Sequence, residues 1–297
     1  MSVPTLAHED RGTGPALVFL HGHPFSRAMW APQLAALSDE FRVVAPDLPG
    51  YGASPPLAQI TSMRRLADEV VALLDAIGVE RATVVGLSMG GLVAMELGLG
   101  NADRLDGIVL AATTAAPVTD EEAARRRAAA EEIEAKGMLG HTAEMLPRLF
   151  GPEAARDPAL TVPIATTMLR SVPAGAAAAL RGRARRPDYE RLLRDLRPPA
   201  LVIAGDRDAY STKEVVDQLV AALPDPEVLI LPGIGHMPNL EAQGAFDDAV
   251  RRFARRAAGK GPSRVGDHMS PARSYRTLTW RRFGRFCQSS NASGTSR

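Results

Sequence analysis

The 297-residue chain is 45% hydrophobic and 23% charged, with a formal net charge of +1. That is the profile of a soluble globular protein long enough to bury a full core. From residue 257 onward there are eight Lys/Arg and one acid, leaving 27 basic against 33 acidic residues in the body. A mildly acidic body argues against nucleic acid as the main partner. Cys287 is the only cysteine, which excludes an internal disulfide and a cysteine-based metal site.

The chain opens MSVPTLAHED, with no basic segment leading into an apolar run, so no signal peptide is expected. Nor does any apolar stretch approach the ~20 residues that a membrane helix needs. The expectation is a cytoplasmic protein without a membrane partner.

Strand-like runs occur at residues 17–20 and 41–44. A helical pattern follows over 62–77, where Leu66, Val70, Leu73, Leu74 and Ile77 share one face and Gly78 ends the run. A β-branched strand over 82–87 runs into a helical pattern starting near Leu92, and a further strand covers 107–110. Between 116 and 186 no strand candidate appears, only alanine-rich, charged helical segments punctuated by prolines. Strands resume at 200–204 and 228–231, with Ser211 and Glu214 forming a capping box between them. Strands alternating with helices predict an α/β fold with a mostly parallel sheet flanked by helices. The expected organisation is a core of 1–115 and 187–256, a helical lid insertion of 116–186, and a basic, disordered tail of 257–297.

Within this pattern the stretch VVGLSMGGL places Gly86 and Gly90 two residues on either side of Ser88. Glycine weakens regular structure by roughly 0.5–1 kcal/mol relative to alanine, so the pair needs a geometric reason. A sharp strand-to-helix turn that exposes one hydroxyl supplies it: Gly-x-Ser-x-Gly in a strand-turn-helix context is the nucleophile elbow. Against this stands the plainer role of a serine that caps the helix.

A serine needs a base, and the base a partner to orient it. Of the six histidines, His236 sits in a glycine-flanked loop directly after the last strand candidate. His21 and His23 lie far upstream, His141 falls in the insertion, and His8 and His268 lie near the ends. The acid is expected between serine and histidine in the chain, and the strand over 200–204 runs into Gly205-Asp206-Arg207-Asp208. Asp206 suits a turn residue bonding nearby backbone, and Asp208 reaches farther into the loop. Asp208 is the chosen acid and Asp206 the alternative.

The stretches VFLHGHPFSRAMW, VVAPDLPGYGAS, VVGLSMGG, LVIAGDRD and GIGHMPNLE, in this order over about residues 5–253, resemble the α/β-hydrolases. The likeness is to serine-nucleophile members of the 3-oxoadipate enol-lactonase, carboxylesterase and cofactor-free perhydrolase group. It implies an α/β-hydrolase fold with Ser88 as nucleophile, Asp208 as acid and His236 as base. It also implies an oxyanion hole from the backbone N–H groups of His23 and Met89, with no cofactor and no metal. Such relatives usually carry an aromatic residue where this chain has His23, so the imidazole either makes the acyl pocket more polar or fills the aromatic's space. Asp47, Gly50, Gly52 and Ser54 also match the resemblance and are read as turn architecture.

The implied reaction is hydrolysis of a small-molecule ester or lactone of small to medium acyl size through an acyl-enzyme. Relatives that open epoxides or displace halide use an aspartate at the position of Ser88. Two alternatives stay open on sequence: a perhydrolase or haloperoxidase using the same triad, and a non-catalytic small-molecule receptor on the same fold. In the insertion, Met138, Leu139, Met145, Leu146, Leu149, Met168 and Leu169 either wall an aliphatic pocket or pack the lid on the core. Arg125, Arg126, Arg127, Arg148 and Arg170 either meet a substrate carboxylate or form a solvated face.

Overall fold

A computed structural model describes residues 6–57 and 60–259. Seven strands form one sheet in the order β1-β3-β2-β4-β5-β6-β7. They are β1 (His8–Arg11), β2 (Ala16–Leu20), β3 (Arg42–Pro46), β4 (Ala82–Leu87), β5 (Leu105–Ala111), β6 (Ala200–Gly205) and β7 (Glu227–Leu231). All neighbours pair in parallel except β1 with β3. Six of the strands lie where apolar runs predicted them. β1 does not, because its sequence HEDR is polar and half-exposed, and only pairing with β3 makes it a strand.

Both sheet faces are buried, as near-continuous apolar strands require. Val18, Val44, Val84, Ile108 and Val202 point to one face, where they meet α2 (Met63–Ala76), α3 (Met89–Gly100) and α9 (Lys213–Ala222). Leu17, Phe19, Val43, Val85, Val109 and Ile203 point to the other and meet α1 (Ala31–Leu37) and α11 (Gln243–Gly259). The apolar stripe read in α2 is the buried one, capped by Ser62, whose Oγ accepts from Arg65 N at 3.1 Å. Each large aliphatic side chain so buried contributes about 1.5–3 kcal/mol.

Two boundaries differ from the sequence reading. α9 starts at Lys213 with Thr212 as its N-cap residue, so Ser211 is not the cap of a capping box. Ser211 is buried, and its backbone N–H bonds the carboxylate of Asp208. At the C-terminal end, Ala257 belongs to α11 rather than to the tail: it continues the stripe of Phe246, Val250 and Phe253 and is buried. The tail from residue 260, including Cys287 and His268, lies outside the described residues.

Between β5 and β6 the described chain holds helices only. They are α4 (Asp120–Lys136), α5 (Leu139–Met145), α6 (Pro158–Leu169), α7 (Pro173–Arg183) and the short α8 (Tyr189–Leu192). Prolines open α6 and α7, where a missing N–H costs nothing. The alanine-rich faces of α4 and α7 pack through Ala130, Ile133, Ala176, Ala177 and Leu180. Leu149, Phe150, Ile164 and Met168 join the core cluster beside α11, so they anchor this layer rather than line a pocket.

Candidate active site

β2 leads to β3 on one side of the sheet and β4 to β5 on the other. The carboxyl ends of β2 and β4 therefore flank a topological switch point, where open α/β sheets place their ligand crevice. β4 ends at Leu87, and Ser88 turns the chain into α3 with φ 54° and ψ −111°. A non-glycine residue in such a conformation costs about 1–3 kcal/mol. The surroundings impose it: Ser88 N donates to Ala111 O at 2.9 Å, and Thr113 Oγ1 donates to Ser88 O at 2.8 Å. A Cβ on Gly86 would lie 2.2 Å from Gly90 O, and one on Gly90 would lie 2.1 Å from Leu20 O. The two glycines thus let α3 press against the ends of β4 and β2. Ser88 makes no side-chain cap hydrogen bond, so helix capping does not explain it.

The loops after β6 and β7 are stitched together. Asp206 N donates to Leu231 O, Arg207 N to Ile234 O, and Asp206 Oδ1 accepts from Gly233 N at 2.6 Å. Asp206 is thereby occupied in turn architecture. Asp208 instead reaches His236, whose Nδ1 lies 2.8 Å from Asp208 Oδ2. Burial alone would raise the Asp208 carboxyl. The charge of His236, its hydrogen bond and the N–H groups of Tyr210 and Ser211 outweigh that and hold it below the usual carboxylate range. An ionised carboxylate only accepts, so His236 Nδ1 is the donor in this bond, and in a neutral ring Nε2 would then hold the lone pair.

The His236 loop is held by Glu241, the last residue of the GIGHMPNLE stretch, to which the sequence reading assigns no role. It lies in the short α10 (Pro238–Glu241). Its carboxylate accepts from Gly151 N at 2.7 Å, Gly235 N at 3.0 Å and Met237 N at 3.1 Å. His236 N also donates to Leu149 O at 2.8 Å. Residues of the helical layer thus brace the loop from the other side. Above it the Tyr210 ring lies 4.9 Å from that of His236, with the Arg148 guanidinium 4.5 Å over Tyr210.

Ser88 and His236 line one cavity of about 260 Å³ between the sheet ends and the helical layer, together with His23, His141, Met145 and Arg183. Among the described residues no hydrogen bond joins Ser88 Oγ to His236; such bonds are often long until substrate is bound. The backbone N–H groups of His23 and Met89 have no partner among the described residues. Met89 is the first residue of α3, where the helix itself supplies no carbonyl for the N–H.

His23 is buried, and its peptide bond to Pro24 is cis. Its Nδ1 lies 2.7 Å from the Tyr51 hydroxyl and its Nε2 3.0 Å from His141 Nε2. Burial first, then the neighbouring His141, Arg183 and Arg126, push His23 down, which keeps it neutral. A neutral imidazole donates at one nitrogen and accepts at the other, so both are satisfied. His23 thus fills the space and also lines the cavity. His21 serves the architecture instead. Leu48 N donates to its Nε2 at 2.9 Å, so Nδ1–H donates to Gly22 O at 2.8 Å. Asp47 is likewise structural, accepting from Arg27 N and Ala53 N at 2.8 Å each.

Of the insertion arginines that could meet a substrate carboxylate, Arg125, Arg126 and Arg148 line the cavity, whereas Arg127 and Arg170 do not and are exposed. Of the seven insertion aliphatics singled out from the sequence, only Met145 lines it, beside Leu92 and Leu180; Leu139 and Leu169 are exposed. His141, Tyr51 and Arg183 carry no sequence signal as site residues, because no local motif marks a side chain brought in from a distant helix or loop. Among the described residues, no group of three or more His, Cys, Asp or Glu is arranged to hold a metal, and no helix is long and apolar enough to cross a membrane.

Comparison with known proteins agrees with this architecture. The chain is 34% identical over 199 residues to 3-oxoadipate enol-lactonase 1 of Acinetobacter baylyi, covering 67% of this chain and 73% of that protein. It is 30% identical over 259 residues to haloalkane dehalogenase 2 of Mycobacterium bovis, covering 81% and 88%. The solved structure of a thermophilic esterase from Thermogutta terrifontis, with malate bound, superposes with a TM-score of 0.83 at 36% identity, covering 85% of this chain and 93% of that one. Residues 17–257 match the profile of the Alpha/beta hydrolase family, and the chain belongs to that family.

Proposed function

We propose that this protein is a serine hydrolase of carboxylic esters or lactones, working through an acyl-enzyme. The observation that carries the reading is the strained Ser88 at the β4–α3 turn, facing the same cavity as a histidine bonded at 2.8 Å to a buried aspartate. In this reading Ser88 Oγ attacks the carbonyl carbon while His236 Nε2 takes its proton. Asp208 holds the imidazole in the required tautomer and stabilises the imidazolium. The backbone N–H groups of His23 and Met89 receive the developing oxyanion; one such donor is typically worth ~10²–10³ in rate. His236 then protonates the leaving oxygen, and water activated by the same base releases the acid.

The hydroxyl nucleophile also argues for acyl rather than alkyl transfer. A serine that displaced halide from carbon would be left as an ether, which water does not cleave under such conditions, whereas an acyl-serine ester is hydrolysable. The aliphatic and small residues on the cavity wall, with a volume of about 260 Å³, support a small or medium substrate.

A panel of p-nitrophenyl esters tests the reading, run with and without hydrogen peroxide and paired with labelling by a fluorophosphonate. The expected result is ester turnover in water and a covalent adduct that peptide mass spectrometry maps to Ser88. Turnover only with peroxide would assign the site to perhydrolysis instead. No turnover and no adduct would leave the fold as a receptor.

A further inference from the structure

Arg183, at the C-terminal end of α7, lines the cavity that holds Ser88 and His236. Its guanidinium makes no hydrogen bond or ion pair with any described residue, and its Nε is buried without a partner. On the neighbouring α4, Arg126 pairs with Glu122, but its Nη1 is likewise buried and unpartnered. Glu122 is the shared counterion of this cluster, since Arg186 also approaches it, at 4.0 Å. Arg126 and Arg186 thus share one carboxylate while Arg183 has none in ion-pair reach among the described residues, although Glu144 also lines the cavity. Arg148 is held apart, stacked on Tyr210.

Buried cations are normally paired. Here the imbalance is internal: Arg126 is pushed down by burial and then by the charges of Arg183 and Arg186, and Arg183 by burial and then by Arg186. A guanidinium does not release its proton in a protein, so this unfavourable environment becomes a drive to bind an anion. The two histidines nearby do not compete, because burial keeps both His23 and His141 neutral. Guanidinium geometry suits a carboxylate, which presents two oxygens to two N–H groups.

We propose that Arg183, with Arg126 beside it, binds a carboxylate carried by the substrate, so that the site selects small esters or lactones bearing a free acid. This rests on the hydrolase reading above for its catalytic half, and on the unpaired Arg183 and the partly paired Arg126 for its binding half.

The test compares mono-p-nitrophenyl glutarate with p-nitrophenyl valerate, which share the reacting ester and chain length and differ at the far end by a carboxylate. The wild-type protein is expected to prefer the acid ester in kcat/KM by about 10- to 100-fold, the range of a charge-assisted hydrogen-bonded pair. In Arg183→Met the ratio should collapse toward one, with Arg183→Lys intermediate because it restores charge without the planar fork. Glutarate itself should bind the wild type in calorimetry and fail to bind Arg183→Met, a readout that needs no catalysis. If Arg183→Met fails to fold, Arg126→Met carries the same expectation. Equal kcat/KM for both esters in the wild type, or a preference that survives in both variants, overturns the proposal while leaving the hydrolase reading intact. Glutarate binding without turnover of either ester would keep the anion site and remove the hydrolase reading.

Discussion

Replacing Glu241 by glutamine perturbs the His236 loop without touching any residue that faces the cavity. The carboxylate accepts from Gly151 N, Gly235 N and Met237 N at 2.7–3.1 Å. An amide offers one oxygen and one NH₂ group, so at least one of the three N–H donors loses its acceptor. A hydrogen bond to a charged group contributes about 1.5–3 kcal/mol, and the lower end applies because Glu241 is only half-buried. The bonds that remain become neutral and about half as strong. The total cost is roughly 3 kcal/mol, which in a domain of this size lowers the midpoint by about 6–12 °C. Because the lost anchor lies within a few residues of His236, turnover should fall as well; a misplacement of about 1 Å can cost ~10²-fold. Differential scanning calorimetry and steady-state ester kinetics on Glu241→Gln measure both effects. A variant with wild-type midpoint and wild-type kcat would refute the view that Glu241 braces the histidine loop.

Ser88→Ala should abolish ester turnover while moving the thermal midpoint little, since the serine hydroxyl makes no capping bond; near-normal turnover in the purified variant would remove Ser88 as nucleophile. Asp208→Asn should lower kcat by orders of magnitude, about 10⁴ in the trypsin case that serves as the general example, whereas Asp206→Asn should mainly loosen the turn at Gly233. The opposite ranking in steady-state kinetics would transfer the orienting role to Asp206. Stability should fall as pH drops from about 6.5 toward 4: burial, against the opposing pull of Gly22 and Asp47, pushes His21 down to about 4. The unfolded chain then takes up a proton in this window that the folded chain refuses. That gap corresponds to roughly 3 kcal/mol for His21 alone, with His23 and His141 acting in the same direction. Urea midpoints that stay level from pH 7 to pH 4.5 would contradict a buried neutral His21.

Much of this protein is determined locally. A parallel strand buried on both faces must be a short apolar run, so six of the seven strands are legible as composition alone. The turn at Ser88 is legible because its geometry is stored in the glycines on either side, which admit α3 against β4 and β2. Asp208 and His236 are legible for a related reason: each follows a strand whose end the parallel sheet brings to one edge. What stays illegible depends on contacts between segments far apart in the chain. β1 is a strand only because β3 offers it a hydrogen-bonding edge. Whether Asp206 or Asp208 meets the histidine is decided by Gly233, which occupies the first and leaves the second free. The arginines of the insertion look alike on paper, as charges on alanine-rich helices. Only the packing of α4 against α7, and of both over the sheet ends, turns Arg126 and Arg183 toward Ser88 while leaving Arg127 in solvent. A helix's period says which residues share a face, but which face looks into the cavity is a property of the docked layer, and only the tertiary structure holds it.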